Sequence, residues 1–161
     1  MLNDVVSFLE NSGFNAHLQQ KTEEISCPQI WLNIGDHVMQ IRDANYKIPS
    51  DDTPVSGSEI HFLNFFITFS HKIASTSFSD GARLASLLNK ISPIPGYNLS
   101  EPDNSIVFHY TYPVSKLEPK SLDAILHLIL YSTELCEPII QELSENNKSF
   151  EDLIKTTNGP V

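Results

Sequence analysis

The chain has 161 residues, which is the size of one compact domain. Hydrophobic residues make up 40% of it and charged residues 19%, a composition that excludes a chain disordered throughout. Acids outnumber bases 20 to 10, and because the net charge of -10 repels phosphate groups, we expect neither nucleic acid nor an anionic membrane as a partner.

Residues 2–12 predict a short amphipathic helix. Its apolar side chains recur at the spacing of one helix face, and Ser12-Gly13 supplies the end. These apolar residues are Leu2, Val5, Val6 and Leu9. A weak strand is predicted at residues 14–20.

Residues 29–42 are interpreted as a β-hairpin. Apolar and polar residues alternate on both sides of Gly35-Asp36, a two-residue turn in which glycine can adopt a positive φ. The polar residues 43–58, with two prolines, predict a loop.

The strand predicted at residues 60–70 is the most hydrophobic part of the chain and carries large side chains on both faces. Leu63, Phe65, Ile67 and Phe69 alternate with Ile60, Phe62, Asn64, Phe66 and Thr68. A strand of this kind is either central in a sheet or covered on its second face by another chain. Both interpretations stay open at this point.

The second half of the chain predicts two helices around a second hairpin. The first helix spans residues 79–91, with Ser79 as N-cap. Residues 97–112 form the hairpin, with a turn at 101–104. A long helix runs from Pro119 to about residue 146, with Pro138 inside it. One more helical turn is predicted at 150–154, and residues 156–161 are predicted to be disordered.

Residues that carry chemistry are few. Cys27 and Cys136 are far apart in sequence and are interpreted as free thiols. His61 and His109 fall in two strands, where a half-buried face explains them more simply than a metal site. The N-terminus has no basic region typical of a signal peptide, so we expect a cytoplasmic location. The sequence also lacks a nucleophile elbow, a P-loop and a dinucleotide-binding fingerprint, so we expect no enzyme activity.

The sequence of residues 97–143 resembles that of a known group of proteins. Residues 97–114 read Tyr-Asn-Leu-Ser-Glu-Pro-Asp-Asn-Ser-Ile-Val-Phe-His-Tyr-Thr-Tyr-Pro-Val. Leu117-Glu118-Pro119 then opens a helix rich in Leu and Ile. This segment resembles bacterial type III secretion chaperones and the related YbjN-type proteins. In that superfamily a short strand, an acidic turn and a long strand lead through a proline-containing loop to a helix that starts with Leu and an acid.

The resemblance implies an α+β fold without cofactors or catalytic residues. The pattern of elements along the chain itself predicts an antiparallel sheet of about five strands, in the order helix-strand-strand-strand-helix-strand-strand-helix, within one domain at residues 1–155. The resemblance also implies a homodimer that holds a client or a regulatory partner protein on apolar patches and sheet edges. For partner binding, we expect Phe62, Asn64, Phe66 and Ile106 to contribute from the surface of the sheet.

Two other functions stay open. A small-ligand-binding sensory domain would use a pocket between sheet and helices, with Trp31, Phe66, His109 and Tyr110 as candidate lining. A hydrolase with an unrecognised site would need a Ser or Cys beside a His in a cleft.

Overall fold

A computed structural model of the chain describes residues 1–23, 25–47, 59–73, 78–101, 103–114, 118–145 and 149–157. The helices described are α1 (Leu2–Asn11), α2 (Phe78–Ile91), α3 (Pro119–Glu145) and α4 (Phe150–Thr157). The strands described are β1 (Ala16–Gln19), β2 (Gln29–Ile34), β3 (His37–Lys47), β4 (Glu59–Lys72), β5 (Tyr97–Ser100) and β6 (Ser105–Val114). They form one sheet in the order β1-β2-β3-β4-β6-β5. The α+β class and the central position of β4 are therefore confirmed.

The expected count of about five strands is wrong, because the sheet has six, and the weak strand predicted at residues 14–20 is confirmed as β1. This short strand pairs antiparallel with β2, from Ala16 opposite Leu32 to Gln19 opposite Gln29. The indole Nε1 of Trp31 donates a hydrogen bond to Oε1 of Gln19 at 2.8 Å. Pairing with a neighbour thus supplies the stability that this short, largely polar segment lacks by itself. The expected order also stops one helix early, because α4 follows α3.

The first hairpin is confirmed, but its second strand is longer than predicted. Gly35 begins the turn with φ 54°, a conformation that glycine adopts at no steric cost. β3 then continues to Lys47, so the loop predicted to begin at residue 43 is wrong there. Residues 48–58 of that loop lie outside the described residues. The strand continues because β4 offers a long partner, as shown by the ring of Tyr46 against the ring of Phe62.

The two faces of β4 differ in burial, because one face is packed and the other is open. Leu63, Phe65, Ile67 and Phe69 are buried, whereas Phe62, Asn64 and Phe66 are half-buried and Thr68 is exposed. The strict period of two follows from the alternation of side chains across a pleated strand. The apolar side chains on the second face of β4 are therefore only partly covered by the part of the chain that the structure describes.

The chain divides into two compact units. The first comprises Met1–Phe66 and Tyr110–Leu122, and the second comprises Ile67–His109 and Asp123–Val161. In the first unit α1 packs on β1 and β2, with Val5 and Leu9 fully buried. The single domain expected at residues 1–155 stays a prediction.

In the second unit α2 packs on β5 and on α4. Its buried residues include Leu84 and Leu88, as the helical spacing predicts. The helix begins at Phe78, so Ser79 lies inside it and the prediction of Ser79 as N-cap is wrong. The hairpin of β5 and β6 is confirmed, with Tyr97 opposite Phe108.

The long helix α3 and the short helix α4 agree with the sequence pattern. Pro138 lies inside α3, and Pro119 is its first residue. α4 extends three residues beyond the predicted turn and includes Thr156 and Thr157. Residues 158–161 of the predicted disordered tail lie outside the described residues. None of the described helices combines the length and the apolar character needed to cross a membrane.

Candidate functional site

The candidate site is an apolar groove on the open face of the sheet in the first unit. It has a volume of about 270 Å³. Side chains two residues apart on one strand share a face, which explains why alternate residues of β3 and β4 meet here. The groove, called the β3–β4 groove below, is lined by Ala44, Tyr46, Phe62, Asn64 and Thr111.

Two aromatic rings form one wall of the β3–β4 groove. The rings of Tyr46 and Phe62 meet edge to face, with centroids 6.1 Å apart and an interplanar angle of 88°. This arrangement places the positive edge of one ring on the negative face of the other. Tyr46 is nevertheless 70% exposed, the largest exposure among the described large hydrophobic residues. The ring therefore retains most of its surface for contact with another molecule.

The floor of the groove carries a fixed amide. The hydroxyl Oγ1 of Thr111 on β6 donates a hydrogen bond to Oδ1 of Asn64 on β4 at 2.7 Å. This cross-strand bond sets the orientation of the Asn64 carboxamide, which lines the groove together with Ala44 and Phe62. A polar group is thus held at a defined position within an apolar surface.

A cation lies on the same face of β3 and β4. The guanidinium carbon of Arg42 is 5.1 Å from the centroid of the Phe66 ring, a cation–π contact. Arg42 contacts Phe66 and Tyr46 contacts Phe62 across the two strands. Both contacts fit one antiparallel register, because the two residues on each strand are four positions apart. Arg42 covers Phe66 and places positive charge beside a groove in a chain whose net charge is -10.

Three of the four residues predicted for partner binding share this face. Phe62 and Asn64 line the β3–β4 groove, and Phe66 lies beneath Arg42. The fourth prediction, Ile106 at the surface, is wrong, because Ile106 is fully buried. It lies opposite Leu99 in the β5–β6 hairpin, and that register turns its side chain to the packed face.

Sequence reasoning missed Ala44, Tyr46 and Thr111. Ala44 and Tyr46 fell in the segment interpreted as a loop, because the apolar positions change there from the face of Met39 and Ile41 to the opposite face of the strand. The alternation of Ala44 and Tyr46 with polar neighbours is a short signal. Thr111 carries no local signal, because only the pairing of β6 with β4 brings it to Asn64.

The residues proposed for a ligand pocket do not come together in this groove. None of Trp31, Phe66, His109 and Tyr110 lines it. Trp31 instead bonds Gln19 on β1, as described above. Over the ranges that the structure describes, no group of three or more His, Cys, Asp and Glu side chains is placed to hold a metal ion.

Comparisons with known proteins gave no relative. No protein-family model matches the chain, and neither a curated protein nor a solved structure matches it. Function is therefore inferred from the groove itself. An aromatic wall beside a fixed amide can contact a ligand that carries an apolar group next to a polar one.

Proposed function

We propose that this protein is a non-enzymatic, chaperone-like module that holds an apolar side chain of a client or regulatory partner protein in the β3–β4 groove. The observation that carries the proposal is the 70% exposure of Tyr46, whose ring stands edge to face with Phe62 at the groove. Tyrosine is among the residues enriched at the energetic centres of protein interfaces. The resemblance to secretion chaperones and YbjN-type regulators supports the same class of function.

The energetics favour such a contact. Covering about 100 Å² of aromatic surface at roughly 25 cal/mol per Å² is worth about 2.5 kcal/mol. Tyrosine loses little conformational entropy on binding, because its side chain has only two rotatable angles. The Tyr46 ring is also already in contact with Phe62, which reduces that loss further.

The proposal includes a cytoplasmic homodimer without nucleic acid or membrane partners. Light scattering coupled to size-exclusion chromatography should give about 36 kDa, which is twice the chain mass of 18.1 kDa. A mass of one chain would remove the dimer from the proposal and leave the groove to be tested separately.

The test compares two aspartate substitutions on the same strand. Tyr46→Asp places a charge at the groove, whereas Val38→Asp places it at another exposed position of β3, about 26 Å away at roughly 3.3 Å per residue. Suppression of the aggregation of reduced insulin would be measured for both variants and for the original chain. Far-ultraviolet circular dichroism would check that all three are folded.

We expect the original chain and Val38→Asp to suppress aggregation equally and Tyr46→Asp to lose most of this activity. Equal suppression by all three proteins would show that the groove does not hold the client. An original chain with no suppression at a tenfold molar excess would contradict the chaperone-like function itself.

A further inference from the structure

The second unit carries an exposed apolar stripe on α3. Leu128, Tyr131 and Leu135 are 38%, 58% and 41% exposed. Their spacing of three and four residues places them on one face of the helix. Ala124 and Pro138 are also exposed and extend the same spacing in both directions. We call these five residues the α3 stripe.

The α3 stripe is distinct from the packed side of the same helix. Leu126, Ile129, Cys136 and Ile140 are fully or almost fully buried and lie on the other side. The stripe spans fourteen residue steps, about 21 Å at a rise of 1.5 Å per residue. The alternating steps of four and three residues match the seam of a coiled coil, in which one helix packs along another.

Charge identifies the kind of partner that fits this surface. Residues 123–145 contain five carboxylates and neither lysine nor arginine. Two of them, Asp123 and Glu134, are exposed next to the stripe. A second copy of this chain would bring the same negative charges to the contact, whereas a cationic partner would neutralise them.

We propose that the α3 stripe is a docking site for an amphipathic helix of another protein, with apolar residues at coiled-coil spacing and lysine or arginine on their flanks. The apolar seam supplies the contact area, and the carboxylates on its border select the charge of the partner. This site is separate from the β3–β4 groove and does not depend on the function proposed for that groove.

The test uses two synthetic helical peptides of eighteen residues with identical apolar positions. One peptide carries lysine at the flanking positions and the other carries glutamate. Binding of each fluorescent peptide to the full chain would be measured by anisotropy at 50 and 300 mM salt. We expect the lysine peptide to bind at least tenfold more tightly than the glutamate peptide, with an affinity that falls as salt rises.

Substitutions in the chain would show whether the peptide binds at the α3 stripe. Tyr131→Ser combined with Leu135→Ser should weaken the lysine peptide at least tenfold, because both residues lie on the stripe. Val38→Ser removes an exposed apolar residue of the first unit and should leave binding unchanged. Glu134→Gln removes one charge but no apolar contact, and it should weaken binding two- to threefold. This variant keeps the proposal testable if the double variant fails to fold.

Three outcomes would overturn the proposal. The first is equal binding of the two peptides, or no binding of either. The second is unchanged binding in the stripe variants. The third is a chain that self-associates through the stripe, seen as a loss of mass in the Tyr131→Ser/Leu135→Ser variant. Tyr46→Asp should bind the lysine peptide normally, so failure of the groove and failure of the stripe can be distinguished.

Discussion

The side-chain amide of Asn89 on α2 hydrogen-bonds both backbone groups of Tyr97, the first residue of the edge strand β5. The Tyr97 N–H donates to Oδ1 of Asn89 at 2.8 Å, and Nδ2 of Asn89 donates to the Tyr97 carbonyl at 2.8 Å. Oδ1 also accepts the N–H of Gly96 at 2.7 Å. The helix side chain thus takes the place that a further strand would occupy at the start of β5.

Asn89→Ala should therefore destabilise the second unit. Three hydrogen bonds are lost together, and at about 1 kcal/mol each we expect a decrease of roughly 2–3 kcal/mol in the free energy of unfolding. Asn89→Asp keeps the acceptor for the two N–H groups but loses the donor to Tyr97, so its decrease should be smaller at neutral pH. Urea unfolding monitored by circular dichroism would measure both. Equal stability of Asn89→Ala and the original chain would contradict this role.

Substitution by alanine should destabilise the fold at Gly96 but not at Gly81. A Cβ at Gly96 would lie 2.6 Å from the carbonyl oxygen of His109 and 2.9 Å from the Phe108 ring. Gly96→Ala should therefore cost roughly 1–3 kcal/mol, because neither the backbone nor the packed ring can move away cheaply.

The matched variant is Gly81→Ala on α2. The atoms nearest to its Cβ would be side-chain carbons of Leu99 and Ile73, at 3.2–3.3 Å, and a shift of a few tenths of an ångström by these side chains would relieve the contact. Alanine also favours the helix over glycine by up to about 1 kcal/mol. Gly81→Ala should thus be neutral or stabilising in thermal unfolding, and a loss as large as that of Gly96→Ala would contradict the prediction.

The helices were predictable because their apolar residues recur every three or four positions, a spacing that places them on one face only in a helix. Leu84 and Leu88 on α2 are buried as expected, and Pro119 begins α3. The hairpin at Gly35 was predictable from its turn chemistry. In each case the information lies within a few neighbouring residues.

The face of each strand was less predictable. β4 is apolar on both sides, and Ile106 is followed directly by the apolar Val107, so neither pattern indicates which side packs inward. Only the register with β5 turns Ile106 to the core. Tyr46 was missed for a related reason, because the largely polar run Arg42-Asp43-Ala44-Asn45 forms a strand only in the presence of β4.

The two thiols should differ in reactivity. Cys136 is fully buried, and this burial raises the pKa of its thiol above the ordinary value, so little reactive thiolate forms. Cys27 is half-buried. A maleimide reagent at pH 7 should therefore label one thiol in the native chain and two after unfolding in urea.

Cys27→Ser should abolish the native labelling, and Cys136→Ser should leave it intact. Rapid native modification of the Cys27→Ser variant would show that Cys136 is accessible, contrary to its place in the core.

The N-terminus of α4 should be sensitive to acid. The Asp152 N–H donates to Oγ of Ser149 at 3.3 Å and the Ser149 N–H donates to Oδ2 of Asp152 at 3.4 Å, the two reciprocal bonds of a capping box. The hydroxyl Oγ of Ser149 also donates to Oδ2 of Asp152 at 2.7 Å. The hydrogen bond from the Ser149 side chain is the main cause that lowers the pKa of Asp152 below its ordinary value.

A carboxylate with a lowered pKa in the folded state stabilises the fold above its unfolded pKa, and this contribution is lost as pH falls through the folded pKa. Protection of α4 from proteolysis should thus be constant near neutral pH and decline in acid. Ser149→Ala should open α4 roughly fivefold more often at neutral pH, as is typical of a lost N-cap, with less further decline in acid. An identical acid profile in both proteins would contradict the assignment.

Trp31, which donates a hydrogen bond to Gln19, can serve as a fluorescent probe of the first unit. Trp31 is the one tryptophan of the chain, and it lies in the first unit. Its emission should therefore report selectively on the melting of that unit, whereas helical ellipticity at 222 nm is dominated by α2, α3 and α4. Superimposable denaturation curves from the two optical signals would mean that both units unfold in one cooperative step.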